Sequence, residues 1–281
     1  MTPTDPSYWF DGRWLAPGEP AFAPSSRLVA AGEGWFETLR VEEGRPMFVD
    51  HHLERLGRSV AGGLGDAHAA GALRTARQCV AAMRSAFAGR PRGRLRVLLA
   101  LDAAGERWQA LGEWGLLRSQ PDSLATGIAA ITASLAHPGL GVLGKSASYH
   151  WSMAARNEAL ARGAGEALLA RDGRLLEGAT GALVWRQGGG WFASGSPEVL
   201  PSVTLAQLRE MGTPIGTGDL SMDALSAGAS DPVEGLVLVS ALRLAVAIRE
   251  IDGRTLPVTA AQEAAAQWRD RLLARHAAPS A

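Results

Sequence analysis

The sequence predicts an α+β protein of two domains, and three observations carry that expectation. Hairpin signals and helical stripes are interleaved without a steady strand-helix-strand alternation, which argues against an open parallel sheet. The string from Gly139 to Ser146 satisfies both the GxGxxG and the GxxxxGK[ST] pattern, but without a steady strand-helix-strand alternation around it the dinucleotide and P-loop readings are weak. A polar stretch containing Pro121, residues 118–123, separates two apolar blocks and reads as a linker between domains at 1–117 and 124–281.

Element by element, "YWFDGRW" predicts a hairpin turning on Asp11-Gly12. "GWFETLRV" (Gly34 to Val41), the turn "EEGR" and "PMFVD" (Pro46 to Asp50) predict a second strand pair. Asp50 is placed to cap the helix "HHLERLGRSV", where Leu53 and Leu56 share a face. A longer helix over about 69–87 carries Leu73, Ala76, Val80 and Met83 at helical spacing, and strands at "RLRVLLALD" and about 107–117 complete the first domain.

Beyond the linker, "GIAAITAS" alternates like a strand, and a polar loop around Lys145 leads into the helix "WSMAARNEALARGAG". Two hairpins follow, on Asp172-Gly173 and on the glycines at 188–190. "SVTLAQLREMG" is a helix closed by Gly212, "EGLVLVSALRLAVAIREIDGR" is two strands broken at 240–242, and a last helix runs over about 259–275. No internal repeat is present at a fixed period.

Composition narrows the function. The chain has 281 residues, 47% of them hydrophobic and 20% charged, with a formal net charge of zero. Its basic residues are dispersed, which argues against a nucleic-acid or membrane surface. Cys79 is the only cysteine, excluding an intrachain disulfide and a CxxC redox or zinc site, and it lies on an apolar helical stripe as a core residue. No N-terminal signal pattern and no membrane-length apolar run is evident, so a cytoplasmic location is expected.

Of the 28 basic residues, 27 are arginine, and Lys145 is the only lysine. Charge alone is served by either side chain, but only an amine can lose its proton and attack a carbonyl to form a Schiff base. Tyr149 follows closely, and Glu177 stands 32 residues beyond Lys145, after a hairpin strand. "EVLPSVTLAQL" opens a helix whose first amides, at Val203 and Thr204, are free to bind an anion. Arg55 sits on the helix at "HHLERL". An amine for an aldehyde, a carboxylate for a ring nitrogen, and arginine plus helix amides for a phosphate are what pyridoxal 5'-phosphate requires. Arg90, Arg92, Arg94 and Arg96 recur with a period of two, which fits either a solvated strand face or an anion clamp.

The segments "GEGWFETLRVEEGRPMFVDHHLERL", "GKSASYHWSMAARNEALARGAGEALL", "EGATGALVW", "LPSVTLAQL" and "SALRLAVAIREIDG" resemble, in order, the class IV (fold-type IV) pyridoxal-phosphate enzymes. That family includes branched-chain and D-amino-acid aminotransferases and aminodeoxychorismate lyase. The resemblance implies the two-domain fold-type IV architecture, with a smaller N-terminal α/β domain and a larger C-terminal pseudo-barrel. It implies Lys145 as the Schiff-base lysine and proton shuttle, Glu177 beside the ring nitrogen and Tyr149 near the cofactor's phenolic oxygen. Arg55, with the amides of Val203 and Thr204 and the Thr204 hydroxyl, is implied at the phosphate. The hydroxyl that often assists there falls at Ala241, with Ser240 as its substitute. Thr38 matches a pocket threonine, and Arg107 stands where a substrate-side arginine belongs.

Several family positions differ: Ser148, Ala182 and Ala31 replace more usual residues, and "ALD" replaces an "SRG" after a strand. The last strand pair, with Leu242, resembles the lyases more than the branched-chain aminotransferases. The resemblance therefore implies 4-amino-4-deoxychorismate lyase, giving 4-aminobenzoate and pyruvate in folate biosynthesis. A class IV aminotransferase and a cofactor-binding protein without this catalysis are the alternatives. A homodimer with active sites near the interface, acting on a small-molecule amine, is expected from the family.

Overall fold

A computed structural model describes residues 7–16, 18–90, 92–117, 121–139, 144–226 and 228–278. The chain divides into two compact units, Met1–Ser119 with Val142–Tyr149, and Gln120–Gly141 with His150–Ala281. The Lys145 segment was expected in the second domain. It clusters with the first unit instead, because its backbone pairs with strand β3 there. Of the expected linker, residues 118–120 lie outside the described residues, and Pro121–Thr126 is a short helix, α4.

In the first unit β1 (Ser7–Phe10) and β2 (Arg13–Leu15) form the expected hairpin, with Asp11 and Gly12 both at positive φ. A short helix α1 (Arg27–Ala31) follows, where no apolar period announces one. β3 (Trp35–Glu42) pairs with the two-residue β4 (Arg45–Pro46), shorter than the expected strand because the chain turns at once into α2 (Val49–Leu64). Asp50 is therefore not the cap. It lies in the first turn of α2, where its charge still favours the helix dipole. α3 (Asp66–Phe87), β5 (Arg92–Leu101) and β6 (Trp108–Leu116) complete the unit.

Among the described residues this unit forms a six-stranded antiparallel sheet ordered β2-β1-β6-β5-β3-β4. The alternation of β3 sends Trp35, Leu39 and Val41 into a core shared with Leu53, Leu56 and Val60 of α2 and Ala76, Val80 and Met83 of α3. Each such large side chain removed from water contributes about 1.5–3 kcal/mol. Cys79 is buried in the same core. Helix α3 approaches β6 so closely that a Cβ on Gly112 would lie 2.7 Å from Met83 and 2.8 Å from Cys79.

The second unit adds β7 (Ile128–Thr132), α5 (His150–Ala161), β8 (Glu166–Arg171), β9 (Arg174–Gly178), β10 (Ala182–Gln187), β11 (Gly190–Ser194) and α6 (Val203–Glu210). It ends with β12 (Ile215–Gly218), β13 (Leu220–Ser221), β14 (Gly235–Ser240), β15 (Leu244–Ile251), β16 (Arg254–Thr255) and α7 (Thr259–Ala277). The strands run in the order β12-β11-β10-β14-β15-β7-β8-β9-β13, with β16 on β15. β12 and β13, the two ends of that path, are separated in sequence by Asp219 alone, so the sheet curls back on itself. One core of Ile128, Leu168, Leu175, Leu183, Trp185, Leu220, Leu238 and Ile248 draws on strands along the whole path. A second core packs Ala155 and Ala159 of α5 against Ile131, Ala167 and Leu169.

Candidate active site

Strand β3 places the first unit's candidate residues through its two faces and its open edge. β4 covers only the Val41–Glu42 end of that edge. The Trp35–Phe36 end is taken by Gly144–Tyr149: the Phe36 amide donates to the Lys145 carbonyl at 3.0 Å and the Ala147 amide to the Gly34 carbonyl at 2.7 Å. From the other side the Lys145 amide donates to Ser59 Oγ on α2 at 3.0 Å, and that hydroxyl donates to the Arg55 carbonyl at 2.9 Å. Gly144 permits this approach. Its φ is +63°, and a Cβ there would fall 2.2 Å from Ser59 Oγ.

The Lys145 side chain is anchored by rings. Nζ lies 4.7 Å from the Phe36 centroid and 5.0 Å from that of Tyr149, and the two rings meet edge to face at 5.2 Å. Such contacts hold an ammonium by about 0.5–1 kcal/mol each. The Phe36 ring also receives the Arg96 guanidinium, at 4.2 Å.

Arg55 is fixed from below the sheet. Its Nε and Nη2 donate to the two oxygens of Glu37 at 2.7 Å each, and His52 Nδ1 lies 2.7 Å from Glu37 Oε2. Glu37 is 0% exposed. Burial by itself would raise its carboxyl, but the Arg55 charge and His52 outweigh it and hold the group well below the usual carboxylate range. Burial lowers His52 from its ordinary value; Glu37 opposes, while the charges of Arg55 and Lys145 reinforce the shift. Neither Glu37 nor His52 stood out in the sequence, because an acid on a strand and a histidine on a helix carry no local mark of burial.

The arginine cluster is mostly neutralised. Arg92 pairs with Glu42 at 3.1 Å, Arg94 with Glu113, and Arg90, which precedes the strand, stacks on Trp114 at 4.4 Å. Arg96, cross-strand from Thr38, makes no hydrogen bond or ion pair among the described residues. Burial draws its pKa down, with Glu113 opposing. Arg107 is different: on an exposed turn, its guanidinium is taken up by Asp11 and lies 4.0 Å from Asp102. It could meet a substrate only by giving up those carboxylates.

In the second unit the β8–β9 register shifts beside Glu177, a bulge that re-aims its side chain. Glu177 Oε1 lies 2.9 Å from His137 Nε2, and Oε2 accepts from the Leu200 amide at 3.3 Å. That second bond ties Glu177 to the segment leading into α6. There Ser202 caps the helix by accepting from the Leu205 amide at 3.2 Å, while the Val203 and Thr204 amides find no acceptor among the described residues. Thr204 is buried beside them. Ser240 ends β14 and its hydroxyl accepts from the Arg243 amide at 3.4 Å, so the turn through Ala241 and Leu242 is closed locally. Arg243 secures the turn further, donating to buried Glu166 at 2.9 Å and to the Gly165 carbonyl at 2.8 Å.

These donors fit a phosphorylated aldehyde with a basic ring nitrogen. By chemical type, the first unit offers a primary amine beside aromatic rings and a fixed guanidinium, and the second a carboxylate with lone pairs to spare and two helix amides without acceptors among the described residues. Among the described residues no cluster of His, Cys, Asp and Glu could hold a metal ion, and no helix is long and apolar enough to cross a membrane.

Comparison with known proteins shows the family. The sequence profile of the family described as Amino-transferase class IV matches residues 34–251. A Mycobacterium tuberculosis protein named bifunctional aminodeoxychorismate lyase / D-amino acid transaminase is 30% identical, over 92% of this chain and 96% of its own. Among solved structures, a hypothetical aminotransferase from Mycobacterium tuberculosis in its PLP-bound form superposes with a TM-score of 0.75 at 25% identity, covering 96% of this chain and 99% of that one. A fold IV-transaminase from Curtobacterium pusillum gives 0.74 at 26%, covering 94% and 91%.

Proposed function

Since the chain belongs to the class IV aminotransferase family, we propose that it is a pyridoxal-phosphate enzyme whose reaction is the conversion of 4-amino-4-deoxychorismate into 4-aminobenzoate and pyruvate. The observation that carries this reading is Arg96, a half-buried guanidinium without an ionic partner among the described residues, sharing the Phe36 ring with the Lys145 amine. An amine-bearing substrate with carboxylates needs both a lysine and a spare cation. The lyase is favoured by the "SALRLAVAIREIDG" segment with Leu242 and by the first activity in the relative's name.

When bound, pyridoxal phosphate supplies an electron sink for the charge left on the substrate's amine-bearing carbon. Lys145 Nζ would hold the cofactor and would take the proton from that carbon. The same nitrogen returns a proton to the departing enolpyruvyl group, so the proton count closes on pyruvate and an aromatic amine. Glu177 would accept a hydrogen bond from the protonated ring nitrogen. Arg55, fixed by Glu37, and the amides of Val203 and Thr204 are assigned to the phosphate, and Thr38 and Arg96 to the substrate.

Transamination is the second reading, favoured by the other activity in the relative's name and by the aminotransferase neighbours. Incubation of the cofactor-loaded protein with 4-amino-4-deoxychorismate, and separately with L- and D-amino acids plus a 2-oxo acid, separates the two. Pyruvate and 4-aminobenzoate formed without an oxo-acid acceptor are expected. Amino exchange with no aromatic product would overturn the lyase reading.

A further inference from the structure

His137 lies eight residues before Lys145 in sequence but belongs to the second unit, and nothing about "HPG" marks it as functional. Its amide donates to the Ala170 carbonyl on β8 at 2.8 Å, which pins its backbone one strand away from Glu177. Its ring is 3% exposed and meets Glu177 Oε1 at 2.9 Å through Nε2. The opposite nitrogen, Nδ1, lies 3.0 Å from the Gly139 amide.

That second contact decides where the ring proton sits. An amide N–H only donates, so Nδ1 must accept, and the proton of the neutral ring is therefore on Nε2, directed at the carboxylate. The turn that delivers the Gly139 amide is itself specified. Gly139 has φ +73°, and a Cβ there would fall 2.2 Å from Arg171 Nη1, whose guanidinium pairs with Glu198 at 3.2 Å. Gly139, His137 and Glu177 thus form a directional relay of two hydrogen bonds, with the Leu200 amide holding the other carboxylate oxygen at 3.3 Å.

We propose that His137 is a positioning residue that, as the Nε2-protonated neutral tautomer set by Gly139, orients the Glu177 carboxylate for the cofactor's ring nitrogen. This rests on the assignment of Glu177 to that nitrogen. A carboxylate free to rotate divides its lone pairs among several directions. One oxygen held by an imidazole N–H and the other by a backbone amide presents its remaining lone pairs in one direction, at no cost when the cofactor arrives.

Three substitutions at 137 test it in the full-length protein. Gln carries an amide at about the reach of Nε2 and can still donate to Glu177. Asn reaches only the Nδ1 position, and Leu donates nothing. We expect His137→Gln to keep the cofactor dissociation constant and visible absorption maximum near wild type. His137→Asn and His137→Leu should weaken cofactor binding about tenfold or more and move the absorption maximum, as loss of a hydrogen bond to a charged group implies. Thermal unfolding of the cofactor-free variants reports their folding; should the Leu variant not fold, the Asn and Gln pair decides. Equal affinity and spectra for Asn, Gln and wild type would overturn the proposal. Glu177→Gln separates the two levels. If it changes affinity and spectrum while the 137 variants do not, only the role of His137 fails; if it too is silent, the assignment of Glu177 fails.

Discussion

Ser59 and Lys145 are joined by one hydrogen bond, the lysine amide donating to the serine hydroxyl at 3.0 Å, and the same hydroxyl donates to the Arg55 carbonyl one helical turn earlier. The backbone of Lys145 is thereby set by the helix that carries the buried Arg55, while its carbonyl is held by β3. Two of the residues assigned to the cofactor share one rigid support.

Ser59→Ala removes the acceptor of the Lys145 amide and should cost about 1–3 kcal/mol. Gly144→Ala should cost more, since it adds a left-handed backbone penalty of about 1–2 kcal/mol to a clash with Ser59. Thermal unfolding of the two variants checks the order; a Gly144→Ala protein as stable as wild type would contradict the close approach.

Acid should weaken the first unit in two stages. Burial lowers the pKa of His52 from its ordinary 6.5, so below about that pH the unfolded chain binds a proton that the folded one resists, and stability falls. The Glu37 carboxyl is held below its ordinary 4.5, so its stabilisation is complete above that value and is lost as pH falls toward its depressed folded pKa. His52→Asn keeps a donor near Nδ1 but cannot titrate. Between pH 7 and 5 it should lose less melting temperature than wild type, and parallel profiles would refute the first stage.

Arg96 and Arg107 should part company in kinetics. Arg96→Gln is expected to raise KM for a carboxylate substrate about 10- to 100-fold, the cost of losing a charge-assisted hydrogen bond, with the cofactor's visible band intact. Arg107→Ala, which breaks an exposed pair with Asp11, should change KM less than about twofold. The reverse ranking would move the substrate cation to the turn.

Cys79 is buried against α3's neighbours, and burial pushes its thiol up to about 12. An alkylating reagent at neutral pH should therefore label the native protein far more slowly than the denaturant-unfolded chain. Equal labelling rates would show that the α3 core opens readily.

What could be read from the chain in advance was what neighbours in sequence decide. Leu53 with Leu56, and Leu73 with Ala76, Val80 and Met83, announced α2 and α3 through their period. Asp11-Gly12 and Asp172-Gly173 announced hairpins because both residues of each pair take the positive φ that such turns require. Short elements without a period, α1, α4, β12 and β13, left no such trace.

Lys145, Glu177, Arg55 and the α6 start stood out in the sequence for a chemical reason: each is a residue type or a helix terminus with few substitutes for the task proposed for it. Their supports were not. His137 meets Glu177 across 40 residues, and Arg92 meets Glu42 across 50, so no local window holds both partners. The sequence by itself determined which groups are available for chemistry, since that follows from side-chain identity and local period. Only the tertiary structure decided which of them are already spent. It paired Arg94 and Arg107 with acids, left Arg96 unpaired among the described residues and buried Glu37 against Arg55, because ion pairs and desolvation depend on distance in space.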